Sequence, residues 1–349
     1  MDSCLAVGTN SSSQCDENQE FQELLKTLPK EKGWAFDEAY LYQGFWIRAQ
    51  ILQQIILCQH QFQARHTDVL LATQPKSGTT WLKALAFAIA HRKRYALPTH
   101  ALLTNNPQKL VPFIEVNQET HQQDLADRLS SLPPFSPRVL STHLPYASLP
   151  ESVTSITNDC RIVYLCRNPK DTLVSTWHFM SKIKSSEAAY EEPLSLEEAH
   201  ELFCRGASPY GPFWEHMLGY WKASLERPEK VLFLRYEEMK KDIKSQVKRL
   251  AEHIGCPFTI EEENEGVVDD IIKLCSFENL KNLEVNKSEK MLVVDCKYFF
   301  RKGIVGDWVN YLTPQMAEQL DQVTKEKLQD HGFPILFKEA TIDEPSESI

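Results

Sequence analysis

At 349 residues, with 42% hydrophobic and 25% charged side chains, the chain has a globular composition that excludes a collagen-like fibre, a coiled coil and a wholly disordered polypeptide. A chain of this length buries about three quarters of its unfolded surface and holds a core without metal or disulfide staples. Acidic residues outnumber basic ones 48 to 38, a net charge of -10, so neither a nucleic-acid partner nor a membrane partner is expected, and an anionic ligand needs a local cationic pocket.

Nine cysteines form no C-x-x-C pair and no Cys/His cluster with zinc spacing, so reduced thiols and no metal are expected. Met1, Asp2 and Ser3 lack the basic and apolar regions of a secretory signal, and the apolar run Ala84–Ala90 is too short to span a bilayer. The expected compartment is the cytoplasm.

Residues 1–18 are rich in Ser, Asn and Gln without an apolar period and are expected to form a mobile tail. The domain is expected over 19–337, with an acidic tail at 338–349. Four short, nearly continuous apolar runs follow one another: Asp68–Thr73, Arg138–His143, Arg161–Cys166 and Val231–Tyr236. Such runs predict strands buried on both faces of a parallel sheet.

Ile243, Val247, Leu250 and Ile254 step at helical spacing and stop at Gly255. Thr313 and Pro314 predict an N-cap and first turn, with Met316, Leu320 and Val323 facing inward and Gly332 and Pro334 closing the helix. Strand and helix in alternation predict one α/β domain of three layers, a mainly parallel sheet flanked by helices. Ser181–Leu196 and Asn286–Phe300 carry no sustained period and are expected as long loops, candidates for lids or ligand clamps.

The richest stretch is Asp68–Leu85, where an apolar strand meets Gln74-Pro75-Lys76-Ser77-Gly78-Thr79-Thr80 and then a helix. Such a turn gathers free backbone N–H groups and the positive end of a helix dipole, and Gly78 lets an anion approach closely. Lys76 and the hydroxyls of Ser77, Thr79 and Thr80 add donors, which makes a phosphate cradle. It is not a Walker A loop, because Thr73 stands where the first Gly is required and Lys76 precedes Gly78. The strand at Ile162–Cys166 ends in Arg167, not in the Asp that a magnesium site wants.

Pro75–Trp81 (PKSGTTW), Ser141–Pro145 (STHLP), Cys166–Ser175 (CRNPKDTLVS) and Arg301–Trp308 (RKGIVGDW) resemble, in the family's order, the signature segments of the cytosolic sulfotransferases. The resemblance covers about residues 20–335. Tyr42–Trp46, Gly211–Trp221 and Cys275–Ser288 make the plant branch the nearer match. It implies a P-loop-like fold and 3'-phosphoadenosine 5'-phosphosulfate as sulfuryl donor.

Residue by residue, the resemblance assigns Lys76, Ser77, Gly78, Thr79, Thr80 and Trp81 to the 5'-phosphosulfate, with Trp81 also near the adenine. It gives the 3'-phosphate to Arg167, Ser175, Arg301, Lys302 and Gly303, and an adenine-side position to Tyr236. Pro169 is expected to begin the turn after Arg167 and Asp171 to cap the following helix; the serine matching Ser175 also restrains the lysine. His143, at the carboxyl end of a strand, is the expected general base, and Lys76 the cation that follows charge onto the departing phosphate. Some animal members have Lys where this chain has Ser141, so no second catalytic lysine is expected there.

The resemblance to the plant branch implies, as acceptor, a small hydroxyl-bearing plant metabolite or hormone, hydroxyjasmonate first and then a flavonol or other phenolic. Phe45, Trp46, Phe113, Phe179, Tyr210, Phe213 and Trp214 are candidate walls of its pocket. Glu289–Phe300 does not match the animal dimer patch, so a monomer is expected. The competing readings are an ATP- and magnesium-dependent P-loop kinase and a non-catalytic nucleotide-binding module.

Overall fold

The computed structural model describes residues 10–35, 38–116, 137–186, 193–291 and 294–334. Its centre is a four-stranded sheet of β4 (Val69–Thr73), β5 (Val139–Thr142), β6 (Arg161–Cys166) and β7 (Val231–Arg235), ordered β5-β4-β6-β7. Every pairing in it is parallel, as the continuous apolar runs predict.

Alternation along these strands sends their side chains to two separate cores. Leu70, Leu140, Ile162, Tyr164 and Phe233 pack on one face. Val69, Leu71, Val163, Leu165 and Leu234 pack on the other. Helices Ala49–Gln61, Phe213–Glu226 and Pro314–Leu328 contribute to the first core, and Thr79–His91, Ile243–His253 and Val267–Leu274 to the second. The result is the three-layer α/β arrangement expected from sequence.

Two further sheets frame one end of this sandwich. An antiparallel meander joins β1 (Lys30–Lys32), β2 (Glu38–Tyr42) and β3 (Phe45–Arg48), and a short hairpin joins β8 (Lys290–Met291) to β9 (Val294–Asp295). Gln43 and Gly44, both at positive φ, make the two-residue turn between β2 and β3.

The predicted helix ends hold. Gly255 adopts φ +77° after Ile243–His253, and Thr313 Oγ1 accepts from Met316 N at 3.2 Å. At the amino ends of β4 and β5, Arg138 grips Asp68 with both guanidinium arms, at 2.9 and 2.6 Å, and both residues are buried. This bidentate pair is a polar stop below the apolar strands.

Three expectations need correction. A helix spans Asn10–Thr27 and so begins inside the segment expected as a tail; its apolar anchors, Phe21 and Leu25, lie at the far end and pack on the first core. The helix Pro169–Ser186 runs through the first six residues of the expected loop Ser181–Leu196, because Met180 and Ile183 still find apolar neighbours; residues 187–192 lie outside the described structure. Asn286–Phe300 is ordered piecewise as the end of a short helix, the β8–β9 hairpin and a 3-10 turn at Cys296–Phe299, residues 292 and 293 aside. The expected tail at 338–349 lies outside the described residues.

Candidate active site

A cavity of about 490 Å³ lies at the carboxyl ends of β4, β5 and β6, where an open α/β sheet places its ligands. Lys76 follows β4, His143 follows β5 and Arg167 follows β6, and all three line it. Gly78 through Trp81, Ser175, Tyr236 and Arg301 through Gly303 line it too. The sequence-predicted residues are thus brought together, apart from Ser77, which lies just behind the wall.

The turn after β4 is built around two left-handed residues, Lys76 at φ +67° and Gly78 at φ +110°. A Cβ at Gly78 would stand 2.9 Å from Leu165 Cδ2 and from Tyr236 Cδ2, so the position requires glycine. The helix Thr79–His91 starts there, and its first N–H groups have no intrahelical acceptor. Ser77 is fully buried and its hydroxyl has no hydrogen-bond partner among the described residues, an orphan donor beside a row of backbone donors. The Thr79 hydroxyl pairs with Thr73 Oγ1 at 2.7 Å and pins the helix to the strand end.

Lys76, Arg167 and Arg301 converge on this turn. Burial brings the Lys76 ammonium from its ordinary 10.5 down to about 7, and repulsion from Arg301 and Arg167 adds to the effect. Its Nζ lies 3.9 Å from the ring centroid of Phe179 and makes no hydrogen bond to Ser175 among the described residues. Arg167 stacks 4.5 Å from the ring of Tyr236 and donates to Ile304 O at 2.7 Å. Tyr236 opens a short helix instead of ending β7; it meets Trp81 edge-on at 5.4 Å and donates to Gly303 O at 2.9 Å.

Two carboxylates arrange these cations. Asn168, not Asp171, caps the helix after β6, accepting from Lys170 N at 2.9 Å. The helix begins at Pro169 itself, and Asp171 sits buried in its first turn, accepting from Gly306 N at 2.8 Å and Trp308 N at 3.1 Å. Asp171 therefore ties the β6 segment to the Arg301–Trp308 loop. Asp307 pairs with Arg301 at 2.5 Å and with Lys302 at 2.8 Å, fixing both side chains at the cavity edge.

His143 is half-buried at the cavity wall. Its Nδ1 lies 2.7 Å from Thr73 O, and a carbonyl can only accept, so the ring proton sits on Nδ1 and Nε2 carries the lone pair. Burial pushes the imidazole down to about 3; Lys83, His216 and Lys76 add to this, and the Thr73 carbonyl opposes it. His143 is therefore neutral at physiological pH. Its own carbonyl accepts from His216 Nε2 at 2.9 Å and its N–H donates to Glu115 Oε1 at 2.7 Å, so both sides of its backbone are fixed.

The candidate aromatic walls divide by geometry. Trp46, Phe113, Phe179 and Tyr210 line the cavity, with Phe113 and Tyr210 at 4.6 and 5.5 Å from the His143 ring. Phe45, Phe213 and Trp214 lie in the core, Phe45 because it alternates with Trp46 on β3. Sequence reasoning missed Glu115. It reaches His143 because Phe113 forms a parallel bridge to Ser141 at the edge of β5, a pairing no local spacing announces. Among the described residues, no group of three or more His, Cys, Asp or Glu side chains is placed to hold a metal.

Comparison with known proteins decides the family. The sulfotransferase domain family matches residues 66–332. Cytosolic sulfotransferase 15 of Arabidopsis thaliana is 51% identical over 319 residues, 90% of this chain and 86% of that one. This chain belongs to the sulfotransferase family. A solved Arabidopsis thaliana structure, described as a candidate steroid sulphotransferase, is 40% identical with a TM-score of 0.70 and covers 95% of this sulfotransferase and 99% of its own chain. Mouse sulfotransferase SULT7A1, solved in complex with PAP, is 27% identical with a TM-score of 0.62, covering 84% of this sulfotransferase and 94% of that chain.

The glycine requirement of the cradle is testable. Gly78→Ala should destabilise the sulfotransferase by about 1–3 kcal/mol through left-handed strain and the two 2.9 Å contacts, read as an earlier midpoint in urea at unchanged slope. A midpoint equal to the parent's would contradict the packing described for this turn.

Proposed function

We propose that this sulfotransferase moves the sulfuryl group of 3'-phosphoadenosine 5'-phosphosulfate to a hydroxyl of a small plant metabolite or hormone, hydroxyjasmonate first, then a flavonol or other phenolic. The observation that carries the reading is a neutral imidazole and a lysine ammonium lining one cavity, with Nε2 of the imidazole left as an acceptor. The orphan Ser77 hydroxyl, the glycine-only approach at Gly78 and three converging cations fit a phosphate-bearing donor. Gly303, at φ +68° with Phe277 Cδ2 2.5 Å from where its Cβ would be, is a second glycine that packing requires at the cavity wall.

Lys76 through Trp81 would hold the 5' end of the donor, and Arg167, Ser175 and Arg301 through Gly303 its 3'-phosphate, with Tyr236 and Trp81 beside the adenine. The donor, when bound, supplies an activated sulfuryl group. His143 Nε2 accepts the proton of the acceptor hydroxyl as its oxygen attacks, and the Thr73 carbonyl steadies the imidazolium through Nδ1–H. Lys76 stands where negative charge accumulates on the leaving side. Positioning and charge stabilisation carry the reaction, and the apolar walls Phe113, Phe179 and Tyr210 exclude water. The relatives are named cytosolic, and no helix among the described residues is long and apolar enough to cross a membrane, which supports a cytoplasmic site of action. We read the protein as a monomer.

His143→Ala should retain calorimetric affinity for 3'-phosphoadenosine 5'-phosphate while losing at least about a hundredfold in turnover with labelled donor and a panel of plant hydroxyl compounds. Turnover within a few fold of the parent would remove His143 from the chemistry.

Lys76 gives a pH signature with a definite sign. Its pKa near 7 in the free protein rises when an anion binds, so binding takes up a proton. Affinity is then full below about pH 7 and falls as pH rises toward the bound-state pKa, by up to about tenfold per unit. Lys76→Met should flatten this dependence between pH 7 and 9. An affinity that rises with pH in the parent would contradict the assignment.

A further inference from the structure

Behind the cradle, the helix Thr79–His91 buries a lysine completely: Lys83 is 0% exposed. Its ammonium lies 3.5 Å from the centroid of Phe113 and 2.5 Å from Gln108 Oε1. Burial pulls Lys83 well below the ordinary lysine range and the Glu115 carboxylate opposes that pull. The ring face and the amide oxygen favour the charged form as well. Gln108 is buried too, with its backbone N–H on Asn106 Oδ1 at 2.8 Å, and its Nε2 lies 2.9 Å from Thr80 Oγ1.

These contacts have a forced direction. An amide oxygen can only accept, so Lys83 Nζ, 2.5 Å away, donates to Gln108 Oε1. The amide nitrogen then faces Thr80 and donates, which makes Thr80 Oγ1 the acceptor. The remaining hydroxyl hydrogen of Thr80 has no acceptor among the described residues, and Thr80 lines the cavity next to Gly78 and Thr79. Thr79, one residue earlier, shares its hydroxyl with Thr73 at 2.7 Å, a pair in which either oxygen can donate. Thr80 is thus a threonine of the cradle whose proton is left for a ligand.

We propose that Lys83 and Gln108 form a polarity relay that commits the Thr80 hydroxyl to donate into the cavity, onto the 5'-phosphate end of the nucleotide. Both act through Thr80 and are positioning residues. The inference rests on the cradle reading given under the proposed function and adds the direction of one hydrogen bond to it.

Gln108→Glu tests it at constant shape. A carboxylate accepts from Lys83 and from Thr80 alike, so the Thr80 proton turns inward and is lost to the nucleotide. The variant also adds a negative charge, and a double-mutant cycle with Thr80→Val separates the two effects. Calorimetry of the full-length protein with 3'-phosphoadenosine 5'-phosphate should show each single variant about tenfold weaker, the scale of one hydrogen bond to a charged group. The double variant should be no weaker than the weaker single. Unchanged affinity in Gln108→Glu, or two losses that multiply, would overturn the relay.

Lys83→Met supplies a second arm should Gln108→Glu fail to fold. It frees the amide to turn over, with an expected loss of about threefold that disappears in the Thr80→Val background. A loss that persists there would overturn the relay as well. A parent protein that binds no nucleotide would overturn the cradle reading itself, a result distinct from either.

Discussion

Like charges forced together on an acidic protein are the constraint around which this structure is organised. The chain carries a net charge of -10, yet the ends of two strands and one loop bring Lys76, Arg167 and Arg301 to one turn. Mutual repulsion and loss of water make that arrangement costly, as the lowered Lys76 pKa records. The surrounding structure holds it by rigid means: two left-handed residues in the turn, a threonine pair pinning the helix, and buried Asp171 fastening the opposite loop through backbone N–H groups. A cationic site held open in this way stabilises a ligand of high negative charge more than any other class, because the repulsion is relieved only when such a ligand arrives.

The same scaffold keeps His143 uncharged. Burial lowers the imidazole pKa, with smaller contributions from Lys83, His216 and Lys76, and the Thr73 carbonyl fixes the proton on Nδ1. The carbonyl that sets the tautomer belongs to the last residue of β4, directly before the cradle turn, so one strand end positions both the turn and the His143 ring.

Much of this was legible in the sequence because the physics is local. Four apolar runs without alternation can only be strands covered on both faces, and the Gly78 turn announces itself by its donors. What was illegible depended on pairing at a distance. Glu115 and Gln108 reach the site through a segment that bridges to the edge of β5 and packs on the cradle helix. Asp171 sits at a capping position by sequence, but Asn168 takes the cap and leaves it free to bind the distant loop. Phe45 and Trp46 are chemically alike neighbours, and only the pleat of β3 decides which reaches the cavity.

A crystal structure of the full-length protein with 3'-phosphoadenosine 5'-phosphate and a hydroxyl acceptor is the most direct measurement of the central claim. The account predicts the 5'-phosphate on the backbone N–H groups at the start of the Thr79–His91 helix, within reach of Lys76, and the acceptor oxygen in hydrogen-bond contact with His143 Nε2. A nucleotide seated away from that turn, or an acceptor hydroxyl directed elsewhere than His143, would contradict it.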